Sequence, residues 1–291
     1  MFDSLQELVE AAQHTGKTIS EIVLADQAIS INVPDQELVK KMACDLQVMK
    51  ESVNTGLQQV LRSNSGLSGG NALRYRQAVE QGTAIAGAVL SQMLMKALAA
   101  SEMNACMGRI VAAPTAGSCG IIPAAVLTIA EERNIPDHKV IMSLFTAAGV
   151  GLVIAKGASI SGAEGGCQAE CGSASAMAAA ALVELAGGSP HMIAQACAIA
   201  LKNIMGLVCD PVAGLVEVPC IKRNAMGVAN ALVAADLALS GIESVIPADE
   251  VIAAMRSVGE IMAPGLKETA EGGLAATPTG IRLAKRILGD A

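Results

Sequence analysis

The sequence predicts an all-α fold: a single helical domain over residues 1–291, with Gly-rich loops converging on one site. The first observation is composition, since 52% of the residues are hydrophobic although the chain has no Trp, one Tyr and two Phe. Strand-rich proteins usually depend on aromatic and β-branched residues, whereas small side chains allow close helix packing. The second observation is a series of long segments with apolar residues at steps of three and four, separated by polar Gly-rich segments. We find neither an internal repeat nor a linker.

Caps and apolar stripes define the helices of the first half. A short helix is predicted at residues 4–15, where Asp3 and Ser4 are both favourable N-caps. Residues 19–34 carry no clear pattern. Asp35 is a plausible cap for a long helix with a continuous apolar stripe. Further helices are predicted at 72–99, from 124 to 133, and from 137 onward.

The second half alternates small-residue helices with interrupted segments. Ser189 and Pro190 make a good helix start, because Pro fits the first turn. Helices are predicted here at 173–186, 190–207, 223–241, 247–261 and after residue 280. The loops predicted along the whole chain are 62–71, 112–123, 161–172, 208–220 and 272–280. Such loops either only turn the chain or, if they meet at one pocket, offer backbone N–H groups to an anion.

Charge and hydropathy exclude several classes of protein. The formal net charge is −7 and no basic patch appears, so we expect no nucleic-acid partner. The N-terminal residues carry early acids and no apolar signal core, so they do not resemble a secretory signal. The most apolar stretch, 140–155, is shorter than the ~18 residues that a membrane span needs. We therefore expect a cytoplasmic protein without a membrane partner.

Eight cysteines require an explanation in a reducing compartment, where disulfides are rare. They are either buried small side chains, metal ligands or a nucleophile. Cys167, Cys209 and Cys220 lie at loop-like places beside Gly or Pro, where thiolates from distant segments can meet. Cys44 and Cys197 lie within predicted helices and are expected in the core. No CxxC pair is present, so spacing alone leaves these alternatives open.

The sequence resembles the alpha chain of iron–sulfur L-serine dehydratase, also called L-serine ammonia-lyase, over nearly its whole length. The segments that carry the resemblance are GLSGGNA at 66–72, PTAGSCGIIPA at 114–124, SISGAEGGCQAECGSASAMAAAALVE at 159–184, and KNIMGLVCDPVAGLVEVPCIKRNAMG at 202–227. It implies that Cys167, Cys209 and Cys220 hold a 4Fe–4S cluster with one iron free of protein thiolate. That iron would act as a Lewis acid for the hydroxyl of L-serine, giving pyruvate and ammonia.

The resemblance also implies where the substrate carboxylate binds. The first candidate is the loop of Ser68, Gly69 and Gly70. The second candidates are Thr115, Gly117 and Ser118. Asn224 and Lys202 would also reach the site if they are helical. The alternative for each residue is a purely structural role as a helix cap or a turn residue.

The general base is a gap in this sequence. Its three histidines, His14, His138 and His191, lie in none of the family motifs and are expected at the surface or at helix ends. A histidine-containing segment belongs to the beta part of the family and is absent here, so we expect a separate beta chain to complete the enzyme. Three rival hypotheses are a pyridoxal phosphate dehydratase, the same cluster acting on cysteine or threonine, and a cluster-binding sensor without catalysis.

Overall fold

A computed structural model describes residues 2–289 of the chain. Helices dominate this part of the chain and no β-strand occurs in it, so the predicted all-α class is confirmed. The helices, in order, are α1 Leu5–Thr15, α2 Ile19–Ser30, α3 Asp35–Gln58, α4 Asn71–Glu80, α5 Ala88–Ala105, α6 Ile121–Glu132, α7 Asp137–Gly157, α8 Gly162–Gly165, α9 Ser173–Leu185, α10 Pro190–Ile204, α11 Cys220–Leu239, α12 Ala248–Ile261 and α13 Pro278–Leu288.

Helix α9 lies at the centre of the domain. It packs against α6, α7, α10 and α11, and its sequence SASAMAAAALVEL is almost entirely buried. Small side chains let four helices approach one helix from different sides, which explains why the core needs almost no aromatic residues. The segment immediately before α9 carries Cys167, so the core fixes one end of that segment.

Most predicted helix starts are confirmed. The Ser4 side chain caps α1 by accepting from the Glu7 N–H at 3.1 Å, and Ser189 caps α10 with Pro190 in its first turn. Residues 19–30, left undecided by the sequence pattern, form α2 with a capping box between Thr18 and Glu21.

Two predicted elements were wrong. Residues 72–99 form α4 and α5 rather than one helix, because the chain turns at Gly82 and Gly87, which both have positive φ. Residues 161–172 are not an open loop. They form the short α8 and then a π-helical turn, Gln168–Gly172, that runs directly into α9. Glycine was a misleading signal there. Close neighbours leave little room for a Cβ at Gly162 and Gly165, and only Gly166, with a φ of 76°, marks a bend between the two helical pieces.

Helix α7 is the one described helix long and apolar enough to cross a membrane. Some 67% of its most apolar window is buried inside the fold, as in the core helix of a globular domain. The predicted burial of Cys197 is confirmed, but Cys44 is exposed, so its predicted core position was wrong. Cys44 lies in a part of α3 where exposed and half-buried residues predominate.

Candidate metal centre

The three predicted cysteines come from three different elements and lie close together. Cys167 follows α8, Cys209 lies in the loop after α10, and Cys220 is the first residue of α11. Their exposed fractions are 0%, 2% and 5%. Cys209 and Cys220 both lie near enough to Cys167 for its negative charge to raise their pKa values. The 208–220 loop thus delivers two thiols to a third from a distant segment.

A fourth cysteine joins this group. The Sγ atoms of Cys167 and Cys171 are 3.6 Å apart, because the intervening residues are helical, as an i,i+4 pair requires. One ligand atom each from Cys167, Glu170 and Cys171 lie within 4.8 Å of one another. The turn is π-helical, a geometry that is often found at functional sites. These side chains are suited to holding a metal ion.

Charge at the site is unevenly distributed among the acidic groups. Hydrogen bonds from Cys171 and Cys209, with the nearby Arg223 guanidinium, hold the pKa of the Cys167 thiol well below its usual range. Burial raises the pKa of Cys220 to about 12, and the negative charge on Cys167 adds to this effect. Burial also raises the pKa of Glu170 to about 7 against the opposing hydrogen bond from Thr115. Cys167 is therefore the thiol most readily ionised in the group.

The predicted turn at residues 115–118 lies over Glu170. The Thr115 hydroxyl donates to Glu170 Oε1 and lies 3.0 Å from the Ser118 hydroxyl oxygen. A Cβ added to Gly117 would come within 2.5 Å of the same Glu170 oxygen, so a larger residue does not fit there. The turn is fixed from behind by Asn224, whose amide nitrogen donates to the Gly117 carbonyl at 2.6 Å.

A different carboxylate, that of Glu217, links the loop of Ser68 to the segment that leads into Cys220. The Ser68 hydroxyl donates to Glu217 Oε2 at 2.6 Å, three residues before Cys220. At Gly69, backbone close to Leu61 and Arg62 leaves no room for a Cβ. Gly70 adopts a left-handed conformation immediately before α4. The buried Glu102 already accepts from the first two N–H groups of that helix, so this end is not free for a substrate anion.

The family model described as the serine dehydratase alpha chain matches residues 14–275. The chain belongs to this family. The match includes every cysteine of the group and both loops described above. The resemblance seen in the sequence is therefore confirmed.

Relatives with related names match over the full chain. A Bacillus subtilis protein named "Probable L-serine dehydratase, alpha chain" is 49% identical over 291 residues, covering 100% of this chain and 97% of that protein. The "L-serine dehydratase, alpha chain" of Peptoniphilus asaccharolyticus is 43% identical over 288 residues, covering 99% of both. The Escherichia coli "L-serine dehydratase TdcG" is 37% identical over 285 residues, which are 94% of this chain but 61% of that protein. The last relative therefore contains a substantial segment without a counterpart in this match.

Lys202 is not brought to the cysteines. Its ammonium group donates to the Ser244 carbonyl at 2.6 Å, in the turn that follows the C-terminal end of α11. Cys220 begins that helix, and its 20 residues span about 30 Å. The Lys202 ammonium group lies far from Cys220 because of the direction in which its side chain points, and the sequence does not reveal that direction.

The sequence interpretation missed three charged residues of the site. Glu170 and Arg223 follow Cys167 and Cys220 by three residues, a spacing that places them on the same helical face. That spacing was a usable signal. Glu268 arrives from the C-terminal segment, where its N–H donates to the Cys209 carbonyl at 2.8 Å. No local sequence pattern predicts this contact between Glu268 and Cys209.

Proposed function

We propose that the chain is the alpha subunit of an enzyme that converts L-serine to pyruvate and ammonia, with a 4Fe–4S cluster held by Cys167, Cys209 and Cys220. The single observation that carries this proposal is the meeting of these distant cysteines in one buried group around Cys167. Membership of the serine dehydratase alpha chain family supports the reaction. The names of the relatives support the substrate.

The chemistry of the donor set fits such a cluster. Thiolates are the usual ligands of iron–sulfur clusters, and Cys167 is already favoured in its ionised form. A Cβ at Gly162 would come within 3.0 Å of Cys209 Sγ, so glycine keeps the space beside that sulfur open. Three thiolates leave one iron of a bound four-iron cluster without a protein ligand. That iron would act as a Lewis acid and stabilise a hydroxide leaving group.

The residues of this chain orient the amino acid for that chemistry. In the proposal, Thr115, Gly117 and Ser118 bind the substrate carboxylate, since this turn lies beside the cysteines and is fixed by Asn224. Ser68 and its glycines have a smaller part, because Glu102 already accepts from the backbone N–H groups that follow Gly70. Lys202 is left out because its ammonium group points away. The low exposure of the cysteines excludes bulk water, which strengthens electrostatic interactions within the site.

A beta chain completes the enzyme in this proposal. His14, His138 and His191 are all exposed, and none belongs to the cysteine group in the described residues. The names of the Bacillus and Peptoniphilus relatives call them alpha chains, and TdcG is a longer chain. A separate chain would therefore supply what the longer relative carries in its extra segment, including the group that removes the Cα proton.

The test is anaerobic purification of this chain with its beta chain, with iron, sulfide and pyruvate measured together. Cys209→Ala is expected to abolish cluster and turnover, whereas Cys197→Ala, a buried cysteine of α10, leaves both intact. Cys171→Ala is expected to retain iron, because Cys171 is not among the three proposed ligands. Loss of iron in this variant would instead make Cys171 a ligand. Pyruvate formation without iron would contradict the proposal, as would iron binding without turnover of L-serine.

A further inference from the structure

One cation joins the three cysteine segments. Arg223 lies on the first turn of α11, three residues after Cys220, and only 13% of its side chain is exposed. Its Nη2 donates to Asp210 Oδ1 and its Nη1 to the Val208 carbonyl, both at 2.8 Å. The guanidinium therefore holds the residues on both sides of Cys209.

The same guanidinium also lies close enough to Cys167, in the third segment, for its positive charge to favour the ionised thiol. A planar group with several fixed N–H donors can bind the Asp210 carboxylate and the Val208 carbonyl at once, which the compact ammonium of lysine does not reproduce. Arg223 is also the cation that faces the thiols, whereas the carboxylates of Glu170 and Glu268 add negative charge there.

Asp210 extends this arrangement to the C-terminal segment. Its second oxygen, Oδ2, accepts from the Leu274 N–H at 2.8 Å. Gly273 has a φ of 57°, and a Cβ there would come within 2.4 Å of that oxygen, so glycine permits the close approach. Cys209 itself donates its N–H to the Leu266 carbonyl at 2.8 Å. The segment 264–275 is thus attached to the loop at Cys209 and again at Asp210.

We propose that Asp210 and Arg223 form a positioning pair that keeps the three cysteines in register and offsets their charge, and so determines how firmly the site retains its cluster. This inference rests on the proposed function. The pair acts through the sulfur ligands and does not touch the substrate. Groups that hydrogen-bond metal ligands commonly change metal affinity by about 10- to 100-fold when mutated, and the charge around a cluster shifts its reduction potential.

The experiment compares Arg223→Gln, Arg223→Lys and Asp210→Asn with the wild-type chain, all purified anaerobically with the beta chain. The matched control is Arg256→Gln, which removes an exposed ion pair between Arg256 and Glu260. Iron and sulfide per chain, the reduction potential, and the rate of bleaching by oxygen are measured. We expect Arg223→Gln and Asp210→Asn to bleach about 10-fold faster or more, with Arg223→Lys intermediate and the control unchanged. The KM of the loaded fraction stays at the wild-type value.

A second readout works without a cluster. In the apo chain, hydrogen exchange of the Leu274 amide should rise in Asp210→Asn and Arg223→Gln while exchange in α9 remains unchanged, which shows that the variants fold. Wild-type iron content, potential and bleaching rate in Arg223→Gln would overturn the inference. A raised KM with normal bleaching would also overturn it, because the pair would then act on substrate. Failure of the wild-type chain to bind iron would instead contradict the proposed function.

Discussion

The side-chain amide of Asn224 connects the start of α11 to the turn at residues 115–118. Its nitrogen donates to the Gly117 carbonyl at 2.6 Å and to the Cys220 carbonyl at 3.0 Å, while its oxygen accepts from the Gly120 N–H at 2.8 Å. The residue is buried, so these bonds form away from water. One amide therefore sets the separation between Cys220 and the proposed substrate turn.

Replacing Asn224 with Ala is expected to lower the free energy of unfolding of the apo chain by about 2–4 kcal/mol, because three buried backbone groups each lose a hydrogen bond. Urea denaturation measures this change. Asn203→Ala is the control, since its exposed amide makes a single bond to Asn230 and its loss costs at most about 0.5 kcal/mol. Equal stabilities for the two variants would show that water replaces the Asn224 contacts.

Gly117→Ala tests whether the turn must lie directly on Glu170. The new Cβ would meet a carboxylate that Thr115 holds in place, so we expect overpacking to cost about 1–3 kcal/mol of stability and to weaken substrate binding. Stability is measured by denaturation and binding by the KM of the assembled enzyme. Gly172→Ala is the matched control, because its Cβ would find Leu201 at 3.9 Å, an ordinary contact. A normal KM in Gly117→Ala would place the substrate elsewhere.

The sequence predicted the helical class and most helix starts, since caps and apolar stripes are local signals. Ser4 caps α1 and Pro190 lies in the first turn of α10, as predicted. Asp35 is instead the first residue of α3 and makes no capping hydrogen bond, so its predicted role as a cap was wrong. The turn between α4 and α5 was missed, because the apolar residues on either side fit one helical pattern. The π-helical turn after Cys167 was also missed, because the Gly-rich sequence around it is typical of a loop, although Gly172 itself has helical dihedral angles.

For the site, motif resemblance gave the three cysteines. Cys209 and Cys220 both lie near Cys167, and the binding of a cluster by the three stays a prediction. Physical reasoning alone left them among several alternatives, because the 41 residues between Cys167 and Cys209 say nothing about proximity. Asn224 was a candidate as a substrate group, and the structure shows it bracing the neighbouring turn. Contacts such as that of Asp210 with Leu274 depend on how the C-terminal segment folds back, and this has no local signature.

Glu102 offers a prediction about α4. Its carboxylate accepts from the N–H groups of Asn71 and Ala72 at 2.6 and 3.2 Å, which neutralises the positive end of the helix. Glu102→Ala is therefore expected to leave these donors unpaired, to cost about 1–3 kcal/mol and to increase hydrogen exchange in the first turn of α4. Glu80→Ala, which removes an exposed pair with Arg76, is the control. Unchanged exchange in Glu102→Ala would mean that another group caps the helix.

Glu184, near the C-terminal end of α9, predicts how stability depends on pH. Burial raises the pKa of its carboxyl above the ordinary 4.5, although Ser20 and Thr146 donate to it. The folded state therefore holds this proton more tightly than the unfolded state. The stabilising contribution is complete below pH 4.5 and is lost as the pH rises through the raised folded value.

Glu184→Gln removes this titration while keeping an oxygen that accepts from Ser20 and Thr146. The variant is therefore expected to gain stability relative to wild type as the pH rises from 4.5, and the gain levels off above the folded pKa. Denaturation of the apo chain at a series of pH values measures the difference. Glu132→Gln, the same substitution at an exposed position, is the control. If the advantage of Glu184→Gln instead grew as the pH fell, the carboxylate would be stabilised by its donors more than it is destabilised by burial.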